Sequence, residues 1–420
     1  MSDPVRGAVT MPSARVVGRA TWAVAAAFAL SGFVFASWAA RIPAVRDSLG
    51  VTPDRLGLIL LAAAIGSLVG LPLSGLVVER FGARFGVRTF GIAASTGLAV
   101  AAVGVALSRT PVVVVGLVLS GVGNGVWDAA MNLEGGAVER LRKRSLMPRF
   151  HASFSIGTMA GAGVGALAAQ LGVPLGPHLM VVALAGTVGV LLAVRDFLPD
   201  ARPDARPDVT GGGRLSTARS HGRRALGAWR ESRTLLIGVI VFAAAITEGA
   251  ANDWVSIAVV DGFHAAAAAG ALSFGLFVTA MTAMRFAGTA LLDRYGRIVV
   301  LRILAVLALA GLLLFGLAPQ LPLALVGVAL WGAGAALGFP VGMSAASDDP
   351  AGAPMRISVV STIGYSAFLA GPPLLGFLAA HVGYRHALLV IAIPVALGLA
   401  LVQAVAPLRP GAAAATTLSP

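Results

Sequence analysis

Twelve apolar runs, each long enough to cross a lipid bilayer, constrain the fold of this 420-residue chain more than any other feature. A helix needs about 20 apolar residues to span a hydrocarbon core about 30 Å thick. Runs of that length lie at 20–42, 56–79, 86–108, 111–134, 150–171, 178–195, 234–260, 267–292, 298–317, 320–345, 357–380 and 385–406. Only 12% of the residues are charged, against about 25% in an average soluble domain, which excludes an ordinary cytoplasmic enzyme. The sequence therefore predicts an all-α membrane protein with twelve transmembrane helices.

The chain carries a formal net charge of +13, and the distribution of this charge indicates how the helices cross the membrane. Most of the 31 Arg and Lys residues fall on one side of the predicted spans. The loops on the other side hold five: Arg41, Arg46, Arg55, Arg109 and Arg385. Because loops rich in Arg and Lys stay in the cytoplasm, we expect a multi-pass protein of the inner (plasma) membrane with both termini cytoplasmic. No compact basic face exists, so no nucleic-acid partner is expected.

A polar segment at 196–233 separates the first six apolar runs from the last six. It repeats the sequence Asp-Ala-Arg-Pro and contains three consecutive glycines, a composition that cannot bury a hydrophobic core. We expect a cytoplasmic tail at 1–19, a six-helix bundle at 20–195, a cytoplasmic linker at 196–233, a second six-helix bundle at 234–406 and a cytoplasmic tail at 407–420. The two bundles are expected to enclose a central cavity, and the protein is expected to be a monomer in the lipid bilayer.

Two sequence matches indicate that the halves repeat each other. A Glu-Arg-Phe-Gly motif at 79–82 follows the second run, and Asp-Arg-Tyr-Gly at 293–296 follows the eighth. His151, Ser155 and Thr158 hold the same spacing in the fifth run as Ser358, Thr362 and Tyr365 in the eleventh. Each trio forms one polar face of a helix. Paired six-helix repeats generate a pathway at their interface in many secondary transporters.

These motifs resemble the signature of the major facilitator superfamily, and the resemblance covers nearly the whole chain. The signature between spans 2 and 3 is present as Gly75, Glu79, Arg80, Gly82 and Arg84, with Glu where the family more often has Asp. The second copy comprises Asp293, Arg294, Gly296 and Arg297, with Thr289 in place of the first glycine. The resemblance implies the superfamily fold and a conformational latch in these loops. Short turns with opposite charges can pair differently when a protein opens to either side.

Residues 123–132 and 151–157 are similar to the MosC-like branch of that superfamily, near its sugar-permease relatives. The rhizopine connection of the branch's namesake implies a polyol or aminosugar-like solute. Exporters of the superfamily often carry a Gly-Pro motif in span 5, whereas the fifth run here has four glycines and no proline. Gly371-Pro372-Pro373 stands in the eleventh run instead. Drug export by proton antiport stays open as an alternative.

Away from the span ends, Asp128 lies inside span 4 and Glu248 inside span 7. Asp253, also a candidate for the site, lies nearer the outer end of span 7, and Glu134 lies at the inner end of span 4. An ionisable side chain at the bilayer centre costs about 2.5–3.5 kcal/mol on insertion scales, so it normally faces a cavity or a partner. Two polar stripes at four-residue spacing include Asp128 and Glu248: Asn124, Asp128 and Asn132 in span 4, and Glu248, Asn252 and Ser256 in span 7. We expect the stripes to bind the solute and, through Asp128 and Glu248, to couple its transport to protons.

Arg285 lies within span 8, about 12 Å from the cytoplasmic end of that span at a rise of about 1.5 Å per residue. Its carboxylate partner could be Asp128, which lies at a similar depth, or Glu248 on the adjacent span. Either pairing would make Arg285 part of a charge switch or an anion site for the substrate. The alternative is a structural role, in which the buried charges only hold the helices together.

Further candidates for the site are His151, Ser155, Thr362, Tyr365, Trp38 and Trp254. His151 could relay protons, because imidazole titrates near neutral pH, or it could be satisfied by neighbours at the inner surface. The aromatic residues could stack on a ring-shaped solute or belong to interface belts and helix packing. The sequence has no phosphate-binding loop, no histidine pair at metal-binding spacing and no cysteine, so no cofactor, metal or enzymatic activity is expected.

Taken together, these features predict a secondary active transporter that moves a small polar solute by proton-coupled alternating access. An exporter of amphipathic compounds or secondary metabolites is the first alternative, and a membrane receptor or scaffold without transport activity is the second. Solute flux separates a transporter from a receptor, and the direction of flux separates the two kinds of transporter.

Overall fold

The computed structural model describes residues 13–142, 146–198, 228–348 and 353–407, and these residues form helices and short connections without strands. The α-helices within these ranges are α1 (Ala14–Ala39), α2 (Ile42–Leu49), α3 (Pro53–Phe81), α4 (Ala83–Ala106), α5 (Thr110–Arg142), α6 (Met147–Gln170), α7 (Leu175–Ala193), α8 (Ser232–Gly262), α9 (Ala267–Leu317), α10 (Leu321–Ala335), α11 (Gly338–Ala346), α12 (Ala353–Ala387) and α13 (Ala392–Ala400). Most of the predicted linker and most of each predicted tail lie outside the described residues. α1 begins at Ala14, within the predicted first tail.

These helices form twelve spans of membrane length. Eleven described helical segments are long and apolar enough to cross a membrane, and the last of them, Met355–Ala400, contains two spans. Its backbone leaves helical geometry at Gly383, as that of α9 does at Gly296, so each of α9 and α12 turns back on itself. α10 and α11 together form the tenth span, and the short α2 spans nothing. The all-α architecture with twelve spans predicted from the sequence is confirmed.

Glycine and proline place several of the helix boundaries. Pro53 occupies the start of α3, where its missing N–H group needs no partner. Gly82 ends α3 with φ 85° and ψ 163°, and Gly296 stands at the matching place of the second half with φ 75° and ψ 163°. A positive φ strains residues with a side chain, so glycine suits both turns. The two motifs that match in sequence therefore share one backbone conformation.

The first half of the molecule contains α1 to α7, and the second half contains α8 to α13. We name the end with the turn between α3 and α4 the Arg80 face, and the end with α2 the Arg46 face. The halves pack on each other mainly through α3 against α12 and α6 against α9. Both contacts lie near the Arg46 face, where Gly57 adjoins Pro372 and Gly275 adjoins Ala162.

The hydrophobic core differs between the two faces. One buried apolar cluster joins both halves toward the Arg46 face, with Ile42 of the first half and Trp254 of the second, and in the second half it continues to Ala345 near the Arg80 face. Toward the Arg80 face the first half has a separate cluster that includes Phe28 and Trp127. Hydrogen bonds and ion pairs between described residues at the Arg80 face join residues of the same half. The halves are therefore closed on each other at the Arg46 face and separate at the Arg80 face.

Candidate transport site

A cavity of about 430 Å³ lies between the two halves. Helices α1, α3, α5 and α6 line it from the first half, and α8, α9 and α12 line it from the second. On α3 the lining residues run from Leu60 to Leu71, on the Arg80 side of the contact at Gly57. Its polar lining residues are Ser31, Ser67, Asn124, Asp128, Ser155, Thr158, Glu248, Asn252, Asp253, Arg285 and Tyr365. The volume suits a single small solute, because ligand pockets measure about 300–1,000 Å³.

Asp128 on α5 is the charged lining residue of the first half. Asn132 donates from Nδ2 to Asp128 Oδ1 at 3.3 Å and to the Asp128 main-chain O at 2.8 Å. Asn124, one turn before Asp128, lines the cavity, and its Oδ1 is buried without a hydrogen-bond partner among the described residues. Asn132 does not line the cavity. Of the predicted stripe, Asn124 and Asp128 therefore line the cavity, and Asn132 holds Asp128 by hydrogen bonds from outside the cavity.

Glu248 and Arg285 form an ion pair within the second half. Arg285 Nη2 donates to Glu248 Oε2 at 2.9 Å, and Arg285 Nε donates to the main-chain O of Ala336 at 3.1 Å. The Arg285 side chain is 34% exposed and that of Glu248 is 25% exposed, so both charges reach the cavity. Of the two partners that the sequence left open for Arg285, the structure selects Glu248.

Asp253 lies on α8, five residues after Glu248 in the direction of the Arg46 face. It lines the cavity and is half-buried. Within the described ranges no hydrogen bond or ion pair reaches its carboxylate, although such groups are costly to desolvate without a partner. The neighbouring Asn252 also lines the cavity. Each half thus offers the cavity one carboxylate that has no cationic partner among the described side chains, Asp128 from the first and Asp253 from the second.

The polar stripe of α8 leaves the cavity at Ser256. The Ser256 side chain is 1% exposed, and its Oγ donates to the main-chain O of Ala40 in the first half at 3.2 Å. This hydrogen bond crosses between the halves beyond the closed end of the cavity. The third member of the predicted stripe therefore belongs to the contact at the Arg46 face, whereas Glu248 and Asn252 belong to the cavity.

Ser155 and Tyr365, two other predicted residues, line the cavity from opposite halves. The Ser155 hydroxyl donates to a main-chain O of the preceding turn of α6 at 3.3 Å. The Tyr365 ring contacts the rings of Phe339 and Phe368 at centroid distances of 6.1 and 6.2 Å. The aromatic lining residues are Phe35, Phe154, Tyr365 and Phe368. Sequence reasoning missed the phenylalanines, because an apolar ring in a membrane helix carries no signal that separates cavity from lipid.

Besides Asn132, four predicted site residues do not line the cavity: His151, Thr362, Trp38 and Trp254. His151 packs edge-on against Phe28, with ring centroids 5.2 Å apart. The Thr362 hydroxyl donates to a main-chain O of the preceding turn of α12 at 2.8 Å. Trp38 and Trp254 are 9% and 1% exposed, so helix packing shields both rings from a solute in this conformation.

The basic residues of the two loop signatures bind within their own halves. Arg84 donates to the main-chain O of Phe197, after the end of α7, at 2.6 Å. Arg297 pairs with Asp348, after the end of α11, at 2.8 Å. Asp348 also pairs with Arg233 at the start of α8 at 2.8 Å. In each half, the basic residue of the signature thus joins the loop that carries the signature to the end of another helix of the same half.

The acidic residues of the signatures, Glu79 and Asp293, are exposed, and no other described residue pairs with them. Arg80 and Arg294 each lie over the ring of the next residue, at 5.5 and 5.3 Å from the ring centroid. Gly75 has open space where a side chain would extend. The latch role of these residues stays a prediction, because no hydrogen bond or ion pair between described residues joins them to the opposite half in this conformation.

A cluster around Arg46 joins the halves at the Arg46 face, and sequence reasoning missed it. Arg46 on α2 pairs with Asp261 at the end of α8 at 2.5 Å and with the adjacent Asp47 at 2.7 Å. Its guanidinium lies 5.6 Å from the ring centroid of Tyr384. Burial lowers the pKa of Arg46, but its hydrogen bonds to Asp261, Asp47 and Tyr384 outweigh burial and raise it overall. The sequence assigns Arg46 only to a loop, since a partner 215 residues away leaves no local pattern.

Two repeated six-span halves around a cavity that opens at one face define the class of alternating-access transporter folds. The chain belongs to the major facilitator superfamily, whose family model matches residues 21–356.

Relatives and solved structures agree with that assignment. The chain is 33% identical to the uncharacterized transporter y4wD of Sinorhizobium fredii over 360 residues, which cover 85% of this chain and 90% of the relative. It is 30% identical to the membrane protein MosC of Rhizobium meliloti over 393 residues, 92% of this chain and 90% of MosC. The crystal structure of the nucleoside transporter NupG superposes with a TM-score of 0.70 at 14% identity, covering 91% of this chain and 98% of NupG. The protein is therefore a multi-pass membrane transporter with the superfamily fold.

Proposed function

We propose that this transporter moves a small polar solute, such as a sugar, a polyol or an aminosugar-like compound, by proton-coupled alternating access. The observation that carries the proposal is the cavity itself, which has the size of one solute and is closed by the described residues at the Arg46 face. Each half gives it a carboxylate without a described cationic partner. Membership of a transporter superfamily supports transport, and the structural likeness to NupG, a nucleoside transporter, supports a polar solute.

The distribution of charge supports an orientation in the inner membrane with the Arg80 face in the cytoplasm. Arg80, Arg84 and Arg140 lie near that face, as expected for a loop side rich in Arg. Both termini would then be cytoplasmic, and the described conformation would open inward. One chain forms the whole cavity from the bundles at 20–195 and 234–406, which supports a functional monomer.

Asp128 and Asp253 are the carboxylates free to exchange protons with the solution, because Glu248 is already paired with Arg285. With the Arg80 face open they equilibrate with one compartment, and after the cavity reopens at the Arg46 face they equilibrate with the other. A solute held by Asn124 and Asn252 crosses in the same cycle. The proposal therefore replaces Glu248 with Asp253 as the second coupling residue.

The test is transport by purified protein in liposomes with an imposed pH gradient. A dye that reports internal pH should detect proton movement when a transported sugar, polyol or aminosugar is added. The Asp128→Asn and Asp253→Asn variants should lose accumulation driven by the gradient. At solute concentrations that saturate the site they should keep exchange of labelled for unlabelled solute, because exchange needs no net proton transfer. Normal pH dependence in both variants would contradict the coupling role.

The second candidate, an exporter of amphipathic compounds, is favoured by one observation: four aromatic rings line the cavity beside several aliphatic side chains. Such walls bind apolar surface. In the same liposomes, an exporter working by proton antiport would expel a loaded amphipathic compound as protons enter from a more acidic outside solution, and it would ignore sugars and polyols. Uptake of a hydrophilic solute with no response to amphipathic compounds would favour the first function.

A further inference from the structure

The charges that line the cavity do not balance. Its charged lining residues within the described chain are Asp128, Glu248, Asp253 and Arg285. Arg285 is balanced by Glu248 at 2.9 Å, and it is also held by a main-chain O of the second half. Asp128 receives only the amide of Asn132, and Asp253 receives no described partner. With its acids ionised, the cavity therefore carries two negative charges that no described cationic side chain offsets.

The cavity also holds acceptors that lack donors. Asn124 Oδ1 is buried without a partner among the described residues, one turn of α5 from Asp128. A buried acceptor without a donor costs about 1–3 kcal/mol, so its site favours a ligand that brings N–H or O–H groups. Asn124 is an independent indication of such a ligand, because its amide carries no charge and adds nothing to the negative charge of the cavity.

The aromatic walls suit a cation as well. Phe35 and Phe154 line the cavity from the first half, and Tyr365 and Phe368 line it from the second. The faces of such rings attract ammonium groups within about 6 Å of the ring centroid. Tyr365 and Asp128 line the same cavity from opposite halves, so an aromatic ring and a carboxylate are both available to one ligand.

The acids are spread along the cavity rather than gathered around one point. In the part of the chain that the structure describes, no three His, Asp or Glu side chains lie close enough to hold a metal ion. An extended organic cation can contact carboxylates that lie far from each other, because its ammonium group and its polar body reach different residues of the cavity. A protonated amino group offers three donors, which matches the unpaired acceptors.

We propose, building on the transport function above, that the solute carries a protonated amino group that binds in the field of Asp128 and Asp253. Because these carboxylates belong to different halves, one bound cation attracts a carboxylate of each half. A neutral sugar or polyol of the same size leaves both charges uncompensated. The class of substrate is therefore an amine with a hydroxyl-rich or compact body, and uncharged sugars are excluded.

Matched pairs of compounds test this assignment on the purified full-length protein. Glucosamine and galactosamine carry the ammonium group, their N-acetyl derivatives keep the bulk without the charge, and glucose and galactose lack nitrogen. At pH 7 the two amines should raise the melting temperature, and the four neutral compounds should not. Asp128→Asn and Asp253→Asn should each weaken amine binding at least about tenfold, as loss of one member of a charge pair does.

Two further variants separate a binding effect from a folding effect. Asp253→Glu keeps the charge and should retain amine binding, which Asp253→Asn loses. Asp54→Asn makes the same chemical change at the start of α3, outside the cavity, and should bind amines like the unaltered protein. Binding of a neutral sugar that is unchanged in both Asn variants would overturn the proposal, and so would the absence of any shift with both amines.

The outcomes also distinguish this inference from the transport function on which it rests. Proton-driven uptake of a neutral sugar into liposomes would overturn the amine assignment and leave the transporter intact. Amine binding that depends on Asp128 and Asp253, without solute flux in either direction, would support the assignment and contradict the transport function.

Discussion

The two faces of the molecule are held by different kinds of contact. At the Arg46 face, helices of opposite halves touch through their backbones, with Gly376 of α12 against Gly57 and the main-chain O of Pro53 in α3. At the Arg80 face, charged pairs such as Arg297 with Asp348 stay within one half. Packing between the halves closes the Arg46 face. At the Arg80 face the charged pairs form within each half and do not join the halves, so this face is open.

This difference shows how a closed face can open again. Small residues let membrane helices approach closely, but no hydrophobic force drives them together in lipid. Among the described residues, the side chains that form hydrogen bonds across the halves centre on two positions, Arg46 with its partner Asp261 and Ser256 with the main chain of Ala40. Opening the Arg46 face therefore breaks packing and few polar bonds, which suits a protein that must alternate between two conformations.

One measurement can follow this face in every variant. The chain contains no cysteine, so introduced cysteines are unique labelling sites. Ser48 on α2 and Ala266 before α9 are exposed and belong to opposite halves at the Arg46 face. Spin labels on Ser48→Cys and Ala266→Cys would report a short distance when this face is closed and a longer one when it opens.

The largest effect is expected from Gly376→Leu. A Cβ atom on Gly376 would meet the main-chain O of Pro53 at 2.7 Å and the Cα atom of Gly57 at 3.0 Å. Because both neighbours are backbone atoms, the helices must separate. Overpacking of this kind costs about 1–3 kcal/mol, enough to shift most molecules to the long label distance and to reduce transport at least about tenfold.

Gly163→Leu is the matched control for that variant. Gly163 also lies within a membrane helix, α6, but nothing lies within 4 Å of a side chain added there. The control should keep the short distance and normal transport. If Gly376→Leu showed the same distance distribution as Gly163→Leu, the contact between Gly57 and Gly376 would not be what closes this face.

An intermediate effect is expected from breaking the pair between Arg46 and Asp261. The Arg46 side chain is 17% exposed and that of Asp261 is 46% exposed, so solvent screens the attraction. A partly exposed pair contributes about 0.5–1 kcal/mol, which is a two- to fivefold change in the ratio of closed to open molecules. Arg46→Ala, Asp261→Ala and the double variant form a cycle that isolates this coupling in the label distances.

Asp47→Ala provides the control in that cycle. Asp47 also contacts Arg46, at 2.7 Å, but it lies next to Arg46 in the first half and joins no described residue across the interface. Its loss should leave the ratio of closed to open molecules nearly unchanged. Additive effects of Arg46→Ala and Asp261→Ala would show that the pair forms without stabilising the closed face.

The sequence predicts best those features that depend on residues close together in the chain. Twelve apolar runs became twelve spans, because each run must satisfy its backbone groups within its own helix. The matching motifs around Gly82 and Gly296 predicted a repeat, and both glycines adopt the same positive φ. The polar stripe of α5 placed Asn124 and Asp128 together, since residues four apart share one helix face.

Features that depend on how the halves meet could not be predicted in this way. The sequence left the partner of Arg285 open, because depth in the membrane does not fix which helices are neighbours. The sequence places Asp253 nearer the outer end of its helix than Glu248, but only the closed contact beyond Asp253 makes it a cavity residue. The helical spacing that joined Ser256 to Glu248 is real, but the approach of Ala40 assigns Ser256 to the interface. Such assignments require the tertiary arrangement of one conformation.

The smallest effect is expected at the open face, from Glu79→Gln. Glu79 has no described partner in this conformation, so its replacement should change the free energy of unfolding by less than about 0.5 kcal/mol. Asp348→Asn is the contrasting variant, since Asp348 pairs with both Arg233 and Arg297, and its loss should cost about 1–3 kcal/mol. Thermal unfolding of both variants in detergent measures this difference.

The same Glu79 variant tests the latch that the loop signature implies. If Glu79 binds the opposite half only when the Arg80 face is closed, Glu79→Gln weakens that other conformation and favours the one described here. The fraction of short label distances between positions 48 and 266 should then rise, by about twofold for the loss of one exposed charge pair. A fall in that fraction, or a loss of stability as large as that of Asp348→Asn, would show that Glu79 already stabilises the present conformation and is not a latch for the other.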